Sequence, residues 1–126
     1  MKNSLLITLL FLAGCANSYE QQAKVAQFNA TIPQCETENQ CRVMWEMAQI
    51  WVNNNSGYKI QMFTDSVIET FNSNNTDLAV TVNKIPIGSG RYEFRVKTWC
   101  GNFLGCFPNS WDAAIDFNRS VSSVSP

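Results

Sequence analysis

What this chain lacks constrains its chemistry as much as what it carries: there is no histidine anywhere in its 126 residues. Ser-His-Asp triads, histidine-activated cysteine nucleophiles and histidine-based zinc sites are therefore excluded. Carboxylates are the remaining acid–base groups, and glycoside hydrolysis shows what a convergent pair of them can do. Asp65 and Glu69 lie four apart near one expected strand, and Asp112 and Asp116 share a helical face. Turn, cap and solvated-surface roles account for all four, so no catalytic residue is assigned and the chain is not expected to be an enzyme. Gly88-Ser89-Gly90 is a hairpin-turn signal, not a phosphate cradle. Trp45, Trp51, Trp99 and Trp111 could stack sugars in a peptidoglycan or other glycan binder. Three of the four fall on apolar stripes or beside a cysteine, which points to core packing instead. No cofactor is expected.

The first residues carry a different chemistry. Lys2 precedes an apolar run from Leu5 to Ala13 broken only by Thr8, the pattern of an export signal. The run is about half the length a membrane-spanning helix needs. It ends in Leu12-Ala13-Gly14-Cys15. This tetrapeptide resembles the lipobox of bacterial lipoproteins, in which a leucine and two small residues precede the cysteine. Small residues let the chain thread extended through a peptidase, and the thiol receives the diacylglycerol. The resemblance covers only the leader. It implies that residues 1–14 are removed, that Cys15 is lipidated, and that acyl chains anchor the protein in the cell envelope. Ala16 occupies the position where an aspartate retains many such proteins in the inner membrane. The resemblance therefore implies the outer membrane, with the protein facing the periplasm.

With Cys15 committed to lipid, Cys35, Cys41, Cys100 and Cys106 remain. An even number of cysteines in an exported domain reads as two disulfides, because that compartment is oxidising. Of three connectivities, the local pairs Cys35–Cys41 and Cys100–Cys106 are favoured, each enclosing five residues. The crossed alternatives, which would join the helix start to the far loop, stay open. Loops so short contribute only about 2–2.5 kcal/mol each on the chain-entropy model. Zinc sites favour closer cysteines, often with histidine, and redox centres favour Cys-x-x-Cys, so no metal site is expected.

Past the leader there are eight basic residues (nine less Lys2) against ten acidic ones, with no basic run. Nucleic acid binding needs a concentrated positive footprint, and none is present.

The segment Cys100-Gly-Asn-Phe-Leu-Gly-Cys106 is the most suggestive binding element. Closed by its own disulfide, it would display Phe103 and Leu104 at the tip of a preorganised loop, next to Trp99. The more ordinary alternative tucks Phe103 into the core beside Trp99 and Trp111. The alternating ladder Arg91, Glu93, Arg95, Lys97 is either an interaction face or a solvated sheet surface.

The elements that must position these residues follow from periodicity. Residues 16–34 are polar with scattered apolar positions and read as a tether from the lipid, part-helical around Gln21 to Phe28. Fully extended, such a tether would reach roughly 60 Å. Thr37 and Gln40 match a capping box, and Gly57 is a stop signal, so a helix is expected between them. Cys41, Met44, Trp45, Ala48, Trp51 and Val52 form its apolar stripe, with Glu38 and Arg42 as a surface pair. Alternation then marks strands around Tyr58–Met62, Val67–Phe71, Leu78–Asn83 and Arg91–Thr98, with Pro86 and Gly88–Gly90 as the last turn. A second helix opens after Pro108, and Ser120 to Pro126 read as a frayed polar tail.

The expected fold is α+β in two layers: an antiparallel meander of about four strands with an N-terminal and a C-terminal helix on one face. Residues 35–126 would form this domain, with 15–34 as lipidated cysteine and tether. The expected function is a membrane-anchored, non-enzymatic accessory module that binds another envelope protein.

Overall fold

The computed structural model describes residues 19–124; the leader and Cys15 lie outside the described residues. The fold is α+β, with a five-stranded antiparallel sheet of order β1-β5-β4-β3-β2 and helices at both ends of the chain. Residues 19–30 form α1, followed by β1 (Gln34–Cys35), α2 (Glu38–Asn55), β2 (Ile60–Phe63), β3 (Val67–Thr70), β4 (Ala79–Gly88), β5 (Arg91–Trp99) and α3 (Ser110–Ser122).

Helix α2 starts as its sequence dictates. Thr37 Oγ1 accepts from the Gln40 amide at 3.2 Å. The Gln40 side chain reaches back to the Glu36 N–H at 2.8 Å, one residue before the cap. The apolar stripe of six residues is the set that α2 buries. One local expectation changes. Arg42 pairs with Glu46 at 3.1 Å and Asn39 at 2.7 Å, not with Glu38. The helix ends at Asn55 with Ser56 as cap, and Gly57 follows in the position of a glycine stop but without its positive φ. Its missing side chain serves packing: a Cβ there would lie 2.4 Å from Asp77 Cβ.

Strand register sorts the sheet into two faces. Val82 stands opposite both Ile68 and Val96, and Lys84 opposite Phe94. Ile68, Val80, Val82, Phe94 and Val96 turn inward and are buried under α2 and α3. Thr70, also buried, accepts the Val80 N–H through its hydroxyl at 2.9 Å. Arg91, Glu93, Arg95, Lys97 and Trp99 share the outward parity. Pro86 lies within β4 and not in the turn, paired with Tyr92. This is tolerated because β3 runs opposite β4 only as far as Asn83, leaving no strand to need the missing N–H. The turn itself is Gly88-Ser89-Gly90, all three at positive φ.

Three features depart from expectation at the edges. A fifth strand, β1, pairs with β5 at Glu93 and Tyr92. The packed unit begins before Cys35, because Phe28 belongs to the core and Ile32 packs against it. The stretch read as a tether is thus largely a docked helix. Finally, α3 runs to Ser122 with Val121 fully buried, so the polar tail contributes to the core.

Candidate functional site: a stapled apolar loop and an aromatic groove at opposite ends

Disulfides join Cys35 to Cys41 and Cys100 to Cys106, the local pairing in both cases. The first ties β1 to α2. The second closes the loop between β5 and α3. That loop is held against the β3–β4 connector by a set of polar contacts. The Gly101 N–H donates to Asn75 O at 3.0 Å, and the Phe107 N–H to Thr76 O at 2.9 Å. Gly101 is required here, since a Cβ would sit 2.5 Å from the Ser73 carbonyl oxygen. The connector is braced in turn by Tyr58, whose hydroxyl donates to Asn75 Oδ1 at 2.8 Å and accepts from the Asn74 N–H at 3.1 Å. At the tip, Asn102 Oδ1 accepts from the Leu104 N–H at 2.9 Å, and Gly105 takes φ +129°.

This frame aims the tip outward. Phe103 is 96% exposed and Leu104 82%. Packing of Phe103 beside Trp99 and Trp111 does not occur: the Asn102 turn and the Gly101 approach point the tip away from the core. Phe107, just past the disulfide, joins them at 82% and had no marker in the sequence beyond its place beside Cys106. Trp99 stands apart from this cluster. It is half-buried on the outward sheet face, with Lys97 Nζ 5.5 Å from its ring. Along the ladder, Arg95 pairs with Glu93 at 2.9 Å.

Helix α1 begins at this same end. Glu20, Gln21 and Lys24 line a cleft of about 360 Å³ whose other wall is Gly105, Cys106 and the start of α3. Lys24 Nζ meets Asp112 at 3.1 Å, and Phe28 meets Trp111 edge-on at 5.6 Å. The start of α1 faces the start of α3, and the end of α1 meets Asn118 further along α3, so the two helices run in the same direction.

The opposite end holds a groove of about 890 Å³ between α2 and the sheet, near the Gly90 turn. Trp45, Phe63, Tyr92 and Lys84 line it. Trp45 stacks with Phe94 at 5.7 Å and Phe63 at 6.3 Å, and its indole N–H donates to Thr64 O at 3.1 Å. Lys84 Nζ lies 4.7 Å from the Tyr92 ring centre, where the ring quadrupole attracts it. The rim carries Glu36, Glu38, Glu46 and Asp65 against the single further cation Arg42. The groove has one marker in the sequence, Lys84, a lysine on the inward parity of Val80 and Val82.

The four carboxylates singled out in the sequence are engaged separately. Asp112 meets Lys24, Asp116 accepts from the Trp51 indole at 2.8 Å, and Glu69 accepts from Gln61 at 2.8 Å. Asp65 lines the groove. Among the described residues no group of three His, Cys, Asp or Glu side chains could hold a metal ion, and no helix is long and apolar enough to cross a membrane. No family model, curated protein or solved structure matches the chain.

Proposed function

We propose that this chain is a lipid-anchored, non-enzymatic accessory protein of the bacterial cell envelope, carried on the outer membrane facing the periplasm, which binds another envelope protein. The lipobox at Leu12–Cys15 supports the anchor, and two disulfides suit an oxidising compartment. The observation that carries the binding role is the placement of the aromatic groove at the end away from the start of α1. Strand β5 runs from the groove to the stapled loop, roughly 26 Å at about 3.3 Å per residue. An anchor upstream of α1 leaves the groove facing away from the membrane, open to a protein partner.

The lining defines that partner's chemistry. Four carboxylates face two cations there, and Glu36, Glu38 and Asp65 take part in none of the ion pairs among the described residues. A segment with an apolar side chain flanked by basic ones complements such a rim. A glycan platform has less support, because stacking sugars needs an open ring face. Trp45 and Trp51 are buried, Trp111 lies against Phe28, and the Trp99 ring is met by Lys97.

A photo-crosslinking residue at position 63, with a control at the exposed Asn53, tests the binding role in living cells. One discrete protein adduct from position 63 alone is the expected result. Absence of any adduct, or the same pattern from both positions, would remove the protein-binding role and leave the anchor untouched.

A further inference from the structure

We infer that the stapled loop is a second membrane contact, inserting Phe103, Leu104 and Phe107 into the lipid interface beside the acyl anchor. The inference rests on the lipid anchoring proposed above and names the occupant of the loop. Three observations converge on a bilayer.

The first is reach. Cys15 stands four residues before Tyr19, a span of at most about 14 Å even if fully extended. Docking of α1 on α3 removes the remaining length that a free tether would have supplied. The body is therefore held close to the surface that carries the lipid.

The second is direction. The start of α1 shares a cleft with Gly105 and Cys106, so the chain leaves the body next to the loop. Whatever surface holds Cys15 also faces Phe103 and Leu104. Tyr19, exposed at the same end, adds an aromatic ring of the kind that settles at headgroup level.

The third is composition. From Trp99 through Trp111 no residue carries a charge. The tip can enter the interface without stripping water from an ion, a step that would otherwise oppose insertion. The Gly101, Leu104, Gly105 and Phe107 N–H groups are already bonded to the connector and to Asn102, so the loop is ordered before it inserts. An acyl anchor alone leaves the body free to swivel. An apolar loop beside it fixes the orientation and keeps the groove turned outward, in the manner of paired membrane signals.

The test places a photo-crosslinking residue at position 103, and separately at 89 in the far turn, in the full chain expressed in a Gram-negative host. Adduct masses are read together with the acylation state of the same sample. Phospholipid adducts at 103 and none at 89 are expected. A discrete protein adduct at 103 without phospholipid would overturn the inference and make the loop a protein docking point. An acylated chain giving neither adduct at 103 would overturn it as well, while leaving the anchor in place. An unacylated chain in the soluble fraction would remove the anchoring reading and this inference together.

Discussion

Asn118, fully buried in α3, donates its side-chain amide to the carbonyl oxygen of Phe28 at 3.1 Å, across 90 positions of sequence. The same amide reaches Thr31 Oγ1 at 3.1 Å. Carbonyls at the end of a helix lack their usual partner four residues on, and Phe28 O is one of these, met locally by the Thr31 N–H at 3.2 Å. A residue from the far end of the chain thus completes the end of α1. With Lys24 on Asp112 at the other end, α1 is pinned alongside α3 in one direction. That direction places the start of the chain beside the stapled loop.

Removing the pin should free α1. Asn118→Ala removes the amide shared by Phe28 O and Thr31 Oγ1 while the Thr31 N–H still reaches Phe28 O, and is expected to cost about 1 kcal/mol. The shift in the urea midpoint measures this. Hydrogen exchange should show protection falling in residues 20–31 and holding in α2. Unchanged protection of α1 would mean that Phe28 packing alone holds the helix.

The loop tip should be dispensable for folding. Phe103→Ser and Leu104→Ser remove exposed side chains, and each is expected to change stability by no more than about 0.5 kcal/mol. Phe94→Ala, at the centre of the buried face, should cost about 3–5 kcal/mol in the same denaturation series. A large loss from the serine variants would show that the tip packs on the body.

The disulfide of the loop should shape more than it stabilises. Replacing Cys100 and Cys106 together by serine is expected to cost about 2 kcal/mol on the chain-entropy model. Exchange at the Leu104 and Gly105 amides should accelerate, while β4 and β5 remain protected. Global unfolding at room temperature would place far more of the stability in this bridge than its short loop allows.

The features legible in the sequence were those with local causes. The α2 stripe follows helical spacing and is buried as read, and in β5 strict alternation puts Phe94 and Val96 inward, both buried, with Tyr92 half-buried at the groove. Helix α1 was not readable as part of the body. Its one buried apolar side chain, Phe28, makes no stripe, and its partner Asn118 lies ninety positions away. Strand β1 is two residues long, too short to show a period. Exposure of Phe103 was hidden for the opposite reason. Phenylalanine reads as core by residue type, and the tip is turned outward by the Asn102 turn together with the long-range approach of Gly101 to Ser73 and Asn74. The groove was half legible, since the parity that buried Val80 and Val82 also carried Lys84 inward.

The lipid anchor at Cys15 can be read from the intact mass of the protein recovered from cell membranes. A detergent-extracted chain beginning at Cys15, carrying its acyl chains and two intact disulfides, is the expected result. A chain recovered in the soluble fraction without lipid, or one that retains residues 1–14, would contradict it.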